Sequence, residues 1–103
     1  MDVDAILAEE RRIWGPPELG LAHVAILLGK IVGDVCLQVR QSYEGRYVSR
    51  GDVEREFGNL ITSTVRFADD LGFDVHQCIE RAFDAQRAYR AARTPDNEPE
   101  ATH

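Results

Sequence analysis

Lys30 and Asp34 in the stretch Lys30-Ile31-Val32-Gly33-Asp34, and Glu56 and Asn59 in Arg55-Glu56-Phe57-Gly58-Asn59, are the residues most suited to chemistry. Carboxylate and amide oxygens are hard donors, and from facing helices they can supply ligands to a cation such as Mg²⁺. Asp34, Glu56 and Asn59 are therefore candidate metal ligands. Lys30 precedes Asp34 by one helical turn, which puts the two on one face. Its ammonium has two possible uses: it can meet a phosphate as a point charge, or it can neutralise Asp34 and Glu56 without any metal. Three readings stay open, namely a metal site, a polar seam that fixes helix register, and a solvated face.

Other residues of reactive type are less well supported. His23 has no His or Cys partner nearby in sequence, and His76 falls in the first turn of a helix, where a surface position is expected. Ser63 and Thr64 lack the neighbours of a nucleophilic triad. Arg81, Arg87, Arg90 and Arg93 could meet phosphates or simply solubilise an alanine-rich helix, and Trp14, Tyr43 and Tyr47 could stack on a base or close an interface. Cys36 and Cys78 are too far apart for a redox or zinc motif and read as buried small apolar residues.

The elements that must position these groups are helical. Asp2 to Trp14 reads as a first helix, ended by Gly15-Pro16-Pro17 because proline removes a donor and restricts its predecessor. A second runs from about Glu18 to Tyr43 and is apolar around most of its circumference, except for a stripe of His23, Lys30, Asp34, Gln38 and Gln41. Gly29 and Gly33 share another face, where another backbone could approach closely. Ser49 and Asp52 suit the start of the third helix. Val53, Phe57, Leu60, Ile61, Thr64, Phe67, Ala68 and Leu71 form its expected core stripe, with Glu56, Asn59, Ser63, Arg66 and Asp70 as a polar line beside it. Gly72 suits a C-terminal cap, and Asp74 with Gln77 starts a fourth helix that runs to about Arg93. The expectation is an all-α antiparallel bundle of about four helices in one domain over residues 1–93, with a disordered acidic tail over 94–103. Covering the second helix on more than one side calls for a homodimer or higher homo-oligomer.

The two acidic stretches resemble the paired motifs of the MazG-like nucleotide pyrophosphohydrolases. That family carries Glu-Glu-x-Gly-Glu on one helix and Glu-Glu-x-Gly-Asp on the next. Gly33 and Gly58 match its glycines, and the similarity continues through Leu60-Ile61 and Arg66-Phe67-Ala68-Asp69-Asp70-Leu71-Gly72-Phe73-Asp74. Glu80-Arg81 and Gln86-Arg87 resemble its last helix, and Glu9-Glu10-Arg11-Arg12-Ile13-Trp14-Gly15 resembles the opening of some members, so most of residues 9–90 is covered. The resemblance implies Mg²⁺-dependent hydrolysis of a nucleoside triphosphate to the monophosphate and pyrophosphate. It further implies Asp34 and Glu56 as ligands, Asn59 as an auxiliary ligand and Lys30 as a phosphate contact. Glu56, Asp34 and Lys30 are then the catalytic candidates. The chain departs from the pattern at Lys30, Ile31, Arg55 and Asn59, and of the four carboxylates that the resemblance assigns to the ion only Asp34 and Glu56 remain. A weakened pyrophosphohydrolase and a catalytically inactive MazG-fold dimer that binds or regulates are both expected outcomes of such a site, unless Glu54, Asp69 or Asp70 supplies the missing charge.

Composition narrows the partners. The 103 residues carry a formal net charge of -6, and an acidic surface repels both nucleic-acid duplexes and anionic membranes. Lys30 is the single lysine, so any phosphate-bearing ligand must be met by it, by arginines or by a metal. Met1-Asp2-Val3-Asp4 lacks the basic start of a secretory signal, which points to the cytoplasm. His23, Lys30 and Asp34 interrupt the longest apolar run, and each central charge costs about 2.5–3.5 kcal/mol in a bilayer. A membrane span is not expected.

Overall fold

Glycine-containing junctions divide residues 1–93, the part that the computed structural model describes, into α1 (Val3–Trp14), α2 (Leu21–Tyr43), α3 (Arg50–Asp70) and α4 (Val75–Ala92). No strand occurs among the described residues, and the architecture is an all-helical bundle. The expected tail, 94–103, lies outside the described residues.

The local sequence explains the boundaries. The Asp2 carboxylate accepts from the Ala5 N–H at 2.8 Å, satisfying one of the free donors at the start of α1. At the end of α2, Gly45 takes φ +77°, its N–H donates to Ser42 and the next N–H, of Arg46, donates to Gln41. Gly72 does the same after α3, where Gly72 donates to Asp69 and Phe73 to Ala68. These paired bonds satisfy the last carbonyls, and they need a residue that tolerates the left-handed region. Asp74 then accepts from the N–H groups of both His76 and Gln77 to start α4. Ser49 precedes α3 as expected, but its hydroxyl makes no capping bond, and Asp52 pairs with Arg55 at 3.1 Å.

α3 is the central helix, with α1 and α2 both packed along it. α4 meets α3 mainly near its own start, where Val75 is buried and Ile79 half-buried; from Arg81 to Ala92 every residue is exposed. Among the described residues the buried apolar ones are Val24, Phe67 and Val75. Two charged residues, Glu10 and Arg66, are equally enclosed.

This distribution corrects several expectations. Cys36 and Cys78 are exposed rather than buried. The polar line of α3 turns inward, with Arg66 buried and Glu56, Ser63 and Asp70 half-buried, whereas Phe57 and Ile61 from the expected core stripe are 45% and 59% exposed. Pattern alone reversed the two edges because charges on α1 meet those on α3. Apart from the helix's own backbone, no atom of the described residues lies within 4 Å of where a Cβ on Gly29 or Gly33 would be. α2 is long and apolar enough to cross a membrane by length and composition, with a mean hydropathy of 1.6 over a window that is only 6% buried.

The start of α4 is also tethered to α1. His76 Nε2 lies 2.8 Å from Asp4 Oδ1. The hydrogen bond to Asp4 and its charge, with smaller contributions from Asp74 and Asp2, raise the imidazole pKa above its ordinary 6.5. A pKa raised by folding contributes stability below the unfolded value, and that contribution fades as pH climbs through the folded one. Replacing Asp4→Asn should bring the His76 pKa back toward 6.5 in an NMR titration of its ring protons. An unchanged titration would show that the tether does not form in solution.

Candidate functional site

A cleft of about 400 Å³ opens between α2 and α3, a volume in the range of small-molecule sites. Lys30, Asp34, Glu56 and Asn59 all line it, so the residues singled out in two separate stretches share one space. Ile31, one residue after Lys30, adds an apolar wall together with Leu27, and Leu19 closes the end near the α1–α2 junction. Trp14, at the last turn of α1, forms the rim. Ser63, Arg66 and Phe67 continue the α3 side. The helical repeat explains the arrangement: Glu56, Asn59 and Ser63 are spaced three and four apart on α3, and Leu27, Lys30, Ile31 and Asp34 repeat likewise on α2.

The charges of the cleft are paired along each helix rather than across it. Lys30 Nζ lies 3.2 Å from Asp34 Oδ2, and Arg55 Nη2 lies 3.5 Å from Glu56 Oε1. Among the described residues no ion pair joins Lys30 to Glu56, so the three-membered seam, one of the three readings open from the sequence, is two separate pairs. The Lys30 and Asp34 side chains are 69% and 42% exposed, which makes their pair a solvated one. Glu56 is better enclosed, at 15%. Exposed pairs of this kind contribute little stability, so they leave the side chains free to meet a ligand.

Behind the rim lies a denser set of charges, in which Arg66, Asp69 and Asp70 of α3 meet Glu10 and Arg11 of α1. Arg66 Nε donates to Glu10 Oε1 at 3.0 Å, with both side chains 9% exposed. Its Nη1 lies 3.8 Å from Asp70 Oδ2. Arg11 completes the set by bonding Asp69 through Nε and Nη2 and placing Nη2 2.7 Å from Asp70 Oδ1. Burial opposes the charge on Arg11, but the bonds to Asp69 and Asp70 prevail and raise its pKa further. The Arg66 guanidinium also sits 4.9 Å from the Trp14 ring centre and 4.7 Å from that of Phe67. Such cation–π contacts fix the indole at the cleft mouth. A clue was present in sequence: Glu10 and Arg11 on α1 match Arg66, Asp69 and Asp70 on α3 in opposite sign.

These contacts decide which acids can serve the cleft. Asp69 and Asp70 are held by Arg11, and Glu54 pairs with Arg50 at 3.3 Å, so none of the three joins Asp34 and Glu56 there. Among the described residues no group of three or more His, Cys, Asp or Glu side chains is placed to hold a metal ion. Two carboxylates and an amide do not fit a resident Mg²⁺ bound by protein alone. They do fit the commoner arrangement in which one or two carboxylates meet an ion that a substrate phosphate also binds. His23 is exposed outside the cleft lining, as are Tyr43 and Tyr47, so Trp14 alone of the weighed aromatics borders the site. Arg81 and Arg87 project from exposed α4, where Arg87 meets Asp84 at 3.4 Å.

No protein-family model, curated protein or solved structure matches this chain.

The two kinds of charge pair should respond differently to mutation. Replacing Arg66→Met leaves Glu10 enclosed without its cation and Asp70 with Arg11 alone, and should cost about 3 kcal/mol in urea denaturation, as breaking buried pairs does. Lys30→Met should change stability by less than about 0.5 kcal/mol, the scale of exposed pairs one turn apart. Equal losses from both would contradict this division of the charges.

Proposed function

We propose that this chain is a MazG-like helical protein whose α2–α3 cleft receives a nucleoside triphosphate as its Mg²⁺ complex, with weak hydrolysis to the monophosphate and pyrophosphate. The observation that carries the proposal is the convergence of Lys30, Asp34, Glu56 and Asn59 on a single cleft. These are the positions to which the family resemblance assigns ligands and a phosphate contact.

Each residue has a role that follows from its chemistry. Asp34 and Glu56 offer anionic oxygens to the ion that accompanies the triphosphate, and the Asn59 carbonyl offers a neutral one. When bound, Mg²⁺ polarises the phosphates and lowers the pKa of its water. Lys30 can swing from Asp34 to a phosphate oxygen, because an exposed i,i+4 pair is held by little free energy. Trp14, held against Arg66, presents a ring face for a base. Weak turnover follows from the charge of the site: Ile31 contributes no oxygen, and Asn59 contributes no charge.

A second reading, a binding or regulatory module without turnover, is favoured by the pairing of Asp34 with Lys30 and of Glu56 with Arg55, since both carboxylates already have a cation nearby. Both readings are of a dimer, because among the described residues one chain fully encloses only Val24, Phe67 and Val75 of its apolar residues. A cytoplasmic setting goes with either.

Purified protein incubated with a panel of nucleoside triphosphates and Mg²⁺ or Mn²⁺ should release pyrophosphate slowly, and Glu56→Gln should abolish the release. Mg²⁺ alone should leave the melting temperature unchanged, whereas Mg²⁺ with a non-hydrolysable triphosphate should raise it, since a ligand that binds only the folded state stabilises it. A raised melting temperature without release would select the binding module. Neither release nor a thermal shift with any nucleotide would remove both readings.

A further inference from the structure

The two ends of the α2–α3 cleft differ in chemistry. Asp34, Glu56 and Asn59 belong to the halves of α2 and α3 that adjoin their connecting loop. Trp14, Leu19 and Phe67 border the other end, where α1 runs into α2. Along α3, Arg66 follows Glu56 by a distance of about 15 Å at 1.5 Å per residue. An ion held by the carboxylates and a ring held at Trp14 are therefore separate parts of one elongated ligand.

Arg66 stands at the ring end but has little surface to give a ligand, since its side chain is 9% exposed. Its nitrogens face Glu10 at 3.0 Å and Asp70 at 3.8 Å, and its guanidinium lies 4.9 Å from the centre of the Trp14 ring and 4.7 Å from that of Phe67. Trp14 is 63% exposed, so most of the indole is open to a ligand. An indole this exposed has several rotamers open to it, and a fixed cation against its ring favours one of them. A stacking surface set in advance loses less side-chain freedom when the ligand arrives.

We propose that Arg66 is the positioning residue that makes the cleft prefer a nucleoside triphosphate to a bare polyphosphate, by holding the Trp14 indole where the base stacks while the phosphates and their Mg²⁺ lie toward Asp34 and Glu56. The proposal rests on the nucleotide reading above and adds the direction in which the ligand lies and the residue that selects its ring. The phosphate end does not depend on this device. Lys30 and Asp34 pair within α2, and Glu56 pairs with Arg55, without Arg66. Lysine in place of Arg66 keeps a charge for Glu10 and Asp70 but loses the plane that lies against the indole, so the two roles of the side chain can be separated.

Trp14 is the single tryptophan, and its fluorescence reports on the ring end alone. Full-length protein should be titrated with Mg²⁺ and an α,β-methylene nucleoside triphosphate, and separately with Mg²⁺ and inorganic tripolyphosphate, by calorimetry and by fluorescence. The nucleotide should bind about tenfold tighter, as one base–aromatic stack provides, and should quench Trp14. Arg66→Lys should raise the dissociation constant of the nucleotide roughly fivefold and leave that of tripolyphosphate unchanged. Trp14→Ala should bring the nucleotide down to the affinity of tripolyphosphate, and adding Arg66→Lys to it should cost nothing more. Should Arg66→Lys lose its helical circular dichroism, Glu10→Gln reads the same ratio: it loosens Arg66 from the α1 side and should also weaken the nucleotide alone. Equal weakening of both ligands would make Arg66 merely structural and overturn the proposal. The same loss from Arg66→Lys with and without Trp14 would mean that Arg66 touches the ligand itself, which also overturns it. Equal affinity of the unaltered protein for both ligands would remove the ring end and keep the ion end. Binding of neither would remove the nucleotide reading, and this proposal with it.

Discussion

The enclosed charge of Arg66 is the constraint on which the arrangement of α1, α3 and the cleft depends. A guanidinium with 9% of its side chain exposed is tolerable only where anions meet it, and Glu10 and Asp70 do so from two helices. Asp70 is itself almost wholly enclosed, and its oxygens make no aligned hydrogen bond among the described residues, so charge rather than bond geometry holds it. Arg11 shares that load from α1 and also grips Asp69. Moving α1 along α3 by one turn would separate Glu10 from Arg66 and Arg11 from Asp69 and Asp70 at once, leaving Arg66 only its pair with Asp70 within α3. Such a network sets register sharply while adding less net stability than an apolar core of the same size.

The cleft inherits its shape from that register. Arg66 faces the charge network with its nitrogens and offers its planar face to Trp14 and Phe67, so one side chain joins the α1–α3 contact to the wall of the cleft. Trp14 sits at the very end of α1, where a shift of the helix would carry the indole away from the mouth. Lys30, Asp34 and Glu56 stand on the other side of this division. Their pairs lie near solvent and can be exchanged for contacts with a ligand at little cost, whereas the Arg66 pairs cannot. Stabilising and ligand-facing charges are thus separated by a few ångströms and by a large difference in burial.

Few apolar side chains among the described residues are fully enclosed. Val24, Phe67 and Val75 form a small core for a chain that must offset the conformational entropy of four helices. Leu27, Leu28, Leu60 and Val65 are half-buried around that core, whereas apolar side chains on the outer side of α2, at Phe57 and Ile61 of α3 and along α4 are exposed.

The sequence by itself determined the helices and their ends. The three-and-four apolar spacing, Asp2, Gly45, Gly72 and Asp74 act over a few residues, and local signals of that kind are legible without tertiary information. It also placed Lys30 with Asp34, and Glu56 with Asn59, on common helical faces, since that follows from the repeat alone. Which face points inward was decided only by tertiary structure. Arg66 and Asp70 read as a polar edge and are enclosed, while Phe57, Ile61 and Cys36 read as core and are exposed. Periodicity ranks faces by polarity, and it cannot register that Glu10, 56 residues from Arg66, brings the opposite charge that makes burial of a polar edge tolerable. The pairing of Lys30 within α2, rather than across to Glu56, is likewise a matter of interhelical distance, which no spacing along one helix contains.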